Sequence, residues 1–187
     1  MSVRHVALYA GSFDPITSGH LDVLSRARRL FDEIVLGLGH NPDKIALFSF
    51  DERLEIASQL VDDLVRAEPN GAPVRVECYT GLTVDYAKSI GAVAILRGIR
   101  NVTDLAAECQ LAITNRQVAD IETAFIITGE QYAFTSSSLI RQVAALGGSI
   151  DRLGSIIPQL VIDRIKAKMA EPGNPLAAMA RDDHVRE

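Results

Sequence analysis

The sequence is poor in cysteine. Its 187 residues include two cysteines, Cys78 and Cys109, which do not form a C-x-x-C pair. Two separated cysteines cannot build a disulfide framework, and zinc sites usually need clustered ligands. We therefore expect a protein of a reducing compartment, with no metal site built on either cysteine.

Long apolar runs and basic runs are also missing. No apolar stretch approaches the roughly 20 residues of a membrane helix. Residues 1–5 lead directly into an apolar segment, which predicts an untargeted cytoplasmic protein. The formal net charge is −5, from 19 basic and 24 acidic residues. Without a basic run, the composition does not indicate nucleic acid or a membrane as a partner.

The length and the apolar fraction of 48% favour one domain with a core of its own. We expect this domain over residues 1–170. Residues 171–187 contain Pro172, Gly173 and Pro175 and end in a charged segment, which predicts a flexible C-terminal tail.

Short apolar segments that predict strands alternate with segments of helical periodicity. The predicted strands are residues 6–10, 34–38, 74–78, 92–96 and 123–127, and the predicted helices are residues 20–31, a segment beginning at Ser49, 83–90, 102–118, 138–146 and 159–169. Such alternation implies βαβ units with right-handed crossovers. The sequence therefore predicts an α/β fold, a Rossmann-like doubly wound sheet of five parallel strands with C-terminal helices.

Ligands of such sheets bind beyond the carboxyl ends of the strands. Glycines, hydroxyls and basic side chains follow the predicted strands at Gly11-Ser12, His40 to Lys44, Thr80 to Thr83, Arg97 to Arg100 and Thr128-Gly129. Because the carboxyl ends of parallel strands share one edge, we expect these groups to form a site for a highly phosphorylated ligand.

The segment from Gly11 to His20 joins the first predicted strand to the first predicted helix. It contains Gly11-Ser12-Phe13-Asp14-Pro15 and Thr17-Ser18-Gly19-His20. The first block alone could be a simple turn, and an isolated histidine there could be a surface or capping residue. Together they favour a phosphate site, because amides at a helix N-terminus attract anions and an imidazole can donate a hydrogen bond to a phosphoryl oxygen.

Three further positions extend this site. Arg97 follows the run 94–96, which we expect to be buried. Arg100 stands three residues further along and supplies a second guanidinium group. A structural arginine at such a place would need a carboxylate partner, whereas guanidinium forks match phosphate oxygens, and we favour phosphate binding over a structural ion pair. Lys44 alone reads as a solvated lysine. Ser136-Ser137-Ser138 precede a helix, and since capping needs one of them, the other two favour a second anion site.

These blocks together resemble the nucleotidyltransferase superfamily, with its signatures (H/T)-x-G-H and S-S-(T/S)-x-x-(R/K). More narrowly, residues 4 to 168 resemble the bacterial phosphopantetheine adenylyltransferase family, and Thr17 favours that family over relatives that carry a histidine there. The resemblance implies adenylyl transfer from ATP to 4′-phosphopantetheine, which gives dephospho-coenzyme A and pyrophosphate in coenzyme A biosynthesis. It also implies Mg²⁺ accompanying ATP and a homohexamer.

The resemblance assigns roles residue by residue. The catalytic residues are His20, Lys44, Arg97 and Arg100. The residues that bind the acceptor are Ser12, Lys44, Leu82, Thr83 and Arg97. The residues that bind ATP are Ser12, Phe13, His20, Gly98, Ile99, Arg100, Glu108, Tyr132, Ala133, Phe134, Thr135, Ser136, Ser137 and Ser138, with Asp104 and Asn115 shaping the cleft. No protein ligand for a metal ion is implied.

One stretch departs from the family pattern. The family commonly reads Asp-Phe-Glu-Tyr-Glu where this chain has Asp104-Leu105-Ala106-Ala107-Glu108, so the aromatic contact expected at Ala107 is missing. Two alternatives stay open from the residues alone. One is adenylyl or cytidylyl transfer to another phosphate, such as nicotinate mononucleotide, and the other is a nucleotide-binding module without turnover.

Overall fold

The fold is a parallel sheet covered by helices. A computed structural model describes residues 4–39, 45–176 and 179 of the chain. Its strands are β1 (Val6–Gly11), β2 (Glu33–Gly39), β3 (Val74–Tyr79), β4 (Ala92–Ile99) and β5 (Glu122–Ile127). They form one sheet in the order β3-β2-β1-β4-β5, and every neighbouring pair is parallel. The predicted α/β fold with five parallel strands is confirmed.

Helices connect the strands and follow the last one. They are α1 (Ser18–Ala27), α2 (Phe50–Ala67), α3 (Thr83–Ser89), α4 (Val102–Ala119), α5 (Ser137–Ala145) and α6 (Gln159–Ala170), with short 3₁₀ segments at Glu130–Tyr132 and Ile150–Leu153. Thr17 and Ser49 begin α1 and α2 as the first residues of capping boxes. A hydroxyl that accepts the N3 amide satisfies a donor left unpaired at the helix start, which explains these boundaries.

The core lies on both faces of the sheet, because side chains alternate along each strand. Ile34, Leu36 and Leu38 of β2 join the larger apolar cluster with α1, α2, α5 and α6, whereas Val35 joins the smaller cluster with α3. Within the described residues no helix is long and apolar enough to span a bilayer.

Buried residues continue past the predicted C-terminal boundary of the domain. Leu176 and Met179 lie beyond the predicted boundary at residue 170, and both are buried in the larger cluster. The division of the chain at that residue stays a prediction, while the buried part of the described chain extends past it.

The strand order fixes where a ligand can bind. The chain runs outward from β1 through β2 to β3, and then returns to place β4 on the other side of β1. Loops at the carboxyl ends of β1 and β4 therefore diverge to opposite faces of the sheet. Such a switch in direction leaves a crevice, which is the usual ligand site of open α/β sheets.

Two predicted boundaries differ from the structure by three residues or more. β4 continues to Ile99 instead of ending at residue 96, because its backbone pairs with β5 as far as Ile127. Arg97 and Gly98 are consequently strand residues, not loop residues. The first helix ends at Ala27 instead of residue 31. The next residue, Arg28, points inward and donates to the carbonyls of Glu68 and Ala72 at 2.9 and 2.8 Å.

Candidate active site

A cavity of about 620 Å³ opens at the carboxyl edge of the sheet. This volume is typical of sites for small organic ligands. Four of the predicted residues, Ser12, Leu82, Thr83 and Arg97, line it together, although they come from different parts of the chain. Lys44, the remaining residue assigned to the acceptor, lies outside the described residues. Asn115, which was expected to shape the cleft, also lines the cavity. The lining further includes Gly11, Asp14, Gly39, Arg53, Tyr79, Val84, Leu111, Val118 and Arg141.

His20 is held in one orientation by the start of α1. As the third residue of the helix, it accepts a hydrogen bond at Nδ1 from the backbone N–H of Thr17 at 3.0 Å. Because Nδ1 accepts, the proton of the neutral ring resides on Nε2. Burial lowers the pKa of His20 to about 4, and the charges of Arg100 and Arg97 act in the same direction. His20 is therefore a neutral hydrogen-bond donor at neutral pH.

Phe13 supports the histidine ring from the side. Its ring meets the His20 ring edge-on, with 5.1 Å between centroids, and also packs edge-on against Tyr9 at 5.2 Å. Phe13 has a backbone φ of 45°, a left-handed conformation that is unusual for a bulky residue. A Cβ added to Gly11 would lie 3.0 Å from the Phe13 ring. The glycine therefore provides the space in which Phe13 reaches His20.

Arg97 has a carboxylate partner. Its Nε and Nη2 donate to the two carboxylate oxygens of Glu108 at 2.7 and 2.5 Å, and its Nη1 donates to the Ala10 carbonyl at 2.8 Å. Burial acts to lower the pKa of Arg97, but the hydrogen bond and charge of Glu108 outweigh it and leave the pKa raised. The ion pair that we disfavoured from the sequence is thus present. A phosphate bound at this position would share Arg97 with Glu108 or displace Glu108 from it.

Arg100 is paired in the same manner. Its Nε and Nη2 donate to Asp104 at 2.7 and 3.0 Å, and its Nη1 donates to the carbonyl of Thr135 at 2.6 Å. The last bond ties the end of β4 to the segment before α5. Arg100 therefore joins two of the blocks that the resemblance assigns to ATP.

The serine block also contacts the first loop. Ser136 caps α5 by accepting from the amide of Leu139 at 3.0 Å, as one serine was expected to do. Ser137 Oγ donates to the carbonyl of Pro15 at 2.8 Å, and Arg141 donates to the carbonyl of Asp14. These contacts bring the start of α5 beside the start of α1.

The 132–138 segment reaches α1 at a second point. A Cβ added to Gly19 would lie 3.2 Å from the Cβ of Tyr132, so this glycine allows the close approach of the two segments. Phe134 is 88% exposed, and the side chain of Ile99 is buried. Ile99 and its neighbour Gly98 can therefore contact a nucleotide mainly through their backbone, whereas Phe134 presents its ring to solvent.

Comparison with known proteins identifies the family. Residues 8–143 match the model of a cytidylyltransferase-like family. The phosphopantetheine adenylyltransferase of Rhodopirellula baltica is 45% identical over 168 residues, which cover 89% of this chain and 90% of that protein. The enzyme of the same name from Geobacter metallireducens is 42% identical over 170 residues, covering 90% and 98%.

The chain belongs to the phosphopantetheine adenylyltransferase family. The resemblance seen in its sequence is thereby confirmed. Solved structures share the fold at lower identity. A Plasmodium falciparum nicotinic acid mononucleotide adenylyltransferase has a TM-score of 0.54 at 20% identity, covering 88% of this chain and 96% of that one. A bifunctional NMN adenylyltransferase/ADP ribose pyrophosphatase of Francisella tularensis has a TM-score of 0.67 at 14% identity, covering 98% and 54%.

The signatures of the family do not point to every residue that shapes this site. Arg53 is buried, lines the cavity and donates to the carbonyl of Ser12 at 2.9 Å. Asp14 is buried and accepts from the amides of Leu47 and Phe48 at 2.8 and 2.9 Å. Burial raises the pKa of Asp14, although these two amides oppose the rise. The burial of Arg53 could have been inferred from the sequence only because this residue falls in register with the apolar face of α2.

Proposed function

We propose that this protein transfers the adenylyl group of ATP to the phosphate of 4′-phosphopantetheine, giving dephospho-coenzyme A and pyrophosphate. The observation that carries the proposal is the 45% identity with a phosphopantetheine adenylyltransferase over 89% of the chain. The cavity supports it, because its lining joins a basic end at Arg97 and Arg53 to an apolar wall from α3 and α4. Such a cavity suits a long acceptor with one phosphate.

The reaction is a direct in-line displacement. A phosphate monoester is already an anion near neutral pH, so its oxygen attacks the α-phosphorus of ATP without a side-chain base. The bond from the α-phosphorus to the bridging oxygen breaks, and pyrophosphate leaves with that electron pair. The protein's part is to position and to stabilise charge. Arg97, with Lys44 as its proposed partner, orients the attacking phosphate.

His20 stabilises the crowded α-phosphate. Its Nδ1 is occupied by the amide of Thr17, so Nε2–H is the donor that remains for a phosphoryl oxygen. A neutral donor held by a helix start does not have to reorganise as charge develops during the attack. His20 therefore needs no change in protonation to act.

Arg100 and Ser137 support the leaving pyrophosphate in this proposal. Arg100 donates to the carbonyl of Thr135 and Ser137 donates to the carbonyl of Pro15, and these two contacts support the assignment. Within residues 4–39, 45–176 and 179, no group of three or more histidine, cysteine or acidic side chains could hold a metal ion. We therefore propose that Mg²⁺ is bound mainly by the triphosphate and water, as that ion prefers.

The test supplies ATP with either phosphopantetheine or nicotinate mononucleotide and follows pyrophosphate release. We expect release with phosphopantetheine, and a product with the mass of dephospho-coenzyme A. Faster release with nicotinate mononucleotide would instead favour the other transferase. Absence of pyrophosphate with both acceptors, and with CTP in place of ATP, would support a binding module without turnover.

We also propose a homohexamer in the cytoplasm, on the strength of the family resemblance. Apolar side chains on α4 and on the edge strand β5 are exposed, among them Val102, Ile113 and Ile127. In the proposed assembly, neighbouring subunits would cover these side chains. Cys78 and Cys109 are both free thiols, which suits a reducing compartment.

A further inference from the structure

Tyr79 is held rigidly at the end of β3. On one side its ring stacks on Tyr86, with 4.5 Å between centroids and 1° between planes. On the other side lie two glycines of β2. A Cβ added to Gly39 would lie 2.8 Å from the Tyr79 hydroxyl, and one added to Gly37 would lie 3.1 Å from its ring. The ring therefore occupies a slot that only glycines at these positions leave open.

The hydroxyl of Tyr79 is aimed at the first residue of α3. It lies 2.8 Å from Oγ1 of Thr83, and both residues line the cavity. Either oxygen can be the donor. A bond between two hydroxyls uses one of their two hydrogens, so the pair keeps one O–H for a further acceptor. The fixed Tyr79 ring restrains where both oxygens of the pair lie.

The surroundings of the pair offer both apolar and polar side chains. Leu82 and Val84 flank Thr83, and α4 adds two apolar and two polar side chains to the lining, Leu111, Val118, Thr114 and Asn115. A ligand acceptor that enters the cavity without a hydrogen-bond partner is costly. The arm of phosphopantetheine matches this wall, since it alternates amide groups with hydrocarbon.

We propose that Tyr79 is a positioning residue, which holds the Thr83 hydroxyl so that the pair donates one hydrogen bond to an amide carbonyl of the acceptor arm. This inference rests on the proposed function. It assigns Tyr79 to recognition of the acceptor, and gives it no part in ATP binding or in the transfer step.

The test compares Tyr79→Phe, Thr83→Val and the double variant in steady-state kinetics with phosphopantetheine and ATP. We expect each single change to raise KM for phosphopantetheine about fivefold, with kcat and KM for ATP unchanged, because the hydroxyl that remains is no longer held in position and its neutral hydrogen bond to the acceptor is lost. The double variant should be no worse than Thr83→Val, because both changes remove the same interaction. Thr83→Ser keeps the hydroxyl and should restore most of the affinity.

The matched control is Tyr86→Phe, which removes the other hydroxyl of the stack. That hydroxyl donates to Glu77 at 2.5 Å, and Tyr86 is outside the cavity lining, so KM for the acceptor should not change. An unchanged KM for Tyr79→Phe, an equal rise in KM for ATP, or an equal effect of Tyr86→Phe would overturn the inference. If the unaltered protein makes no dephospho-coenzyme A, the proposed function itself fails.

Discussion

At the scale of single residues, the proposed catalytic donor is His20, whose Nδ1 accepts a hydrogen bond from the amide of Thr17. We predict that His20→Ala lowers kcat about 100-fold or more, because a donor aimed at developing charge is lost. The dissociation constant of ATP, measured by calorimetry, should change less than about threefold, since the donor acts mainly in the transition state. Equal losses in binding and turnover would show that His20 serves ground-state binding instead.

The same residue gives the protein a defined response to acid. Burial lowers the pKa of His20 from 6.5 to about 4, so the unfolded chain takes up a proton on His20 where the folded one does not. This difference in proton uptake lowers the free energy of unfolding by up to about 3 kcal/mol as the pH falls from about 6.5 to 4. Denaturant unfolding at a series of pH values measures it.

The control for this response is His20→Gln, which cannot titrate. In this window its free energy of unfolding should fall less steeply with decreasing pH than that of the unaltered protein. Identical slopes would mean that His20 titrates normally in the folded state, which would contradict its buried, neutral assignment.

The residue scale is also where sequence reasoning reached its limit. The sequence located His20 in the first turn of α1, but the capping bond with Thr17 was not predicted. The Glu108 partner of Arg97 was not predicted either, because an arginine after a buried run also fits a phosphate, and the phosphate was favoured. Arg53 was missed, since its contact with the Ser12 carbonyl joins positions that are 41 residues apart.

At the scale of elements, the loop after β1 depends on the packing of Phe13 over Gly11. We predict that Gly11→Ala pushes the Phe13 ring against His20, because the new Cβ would lie 3.0 Å from that ring. Turnover should fall at least about tenfold while the fold is kept, since small displacements of a catalytic group are costly. Gly154→Ala is the matched control, because its Cβ meets only ordinary contacts of 3.6 Å or more.

Kinetics of both glycine variants, with thermal melts to verify folding, check this prediction. Equal activity of Gly11→Ala and Gly154→Ala would remove the argument that Gly11 makes room for Phe13.

The elements themselves followed well from the sequence pattern. Strand and helix periodicity located these elements, because most of them, such as α2 and β2, bury a repeating set of their own apolar residues. The end of β4 did not follow, because it is set by pairing with β5 as far as Ile127, and that partner is remote in sequence.

At the scale of the whole molecule, the exposed apolar surface of α4 and β5 bears on assembly. We predict a species of roughly six times 20.3 kDa in light scattering after gel filtration. Ile127→Lys should shift the mass downward, because a buried charge at an interface is strongly unfavourable. Leu30→Lys changes an equally exposed leucine outside α4 and β5, and should leave the mass unchanged. A monomeric unaltered protein would contradict the proposed assembly.

The proposed function requires the whole molecule to bring two anions together at one edge of its sheet, and one labelling experiment tests this most directly. Phosphopantetheine carrying ¹⁸O at its phosphate is incubated with unlabelled ATP, and the products are weighed by mass spectrometry. Direct attack on the α-phosphorus predicts dephospho-coenzyme A that retains all of the label, with an equal amount of unlabelled pyrophosphate. Label in pyrophosphate, or no dephospho-coenzyme A at all, would contradict the account.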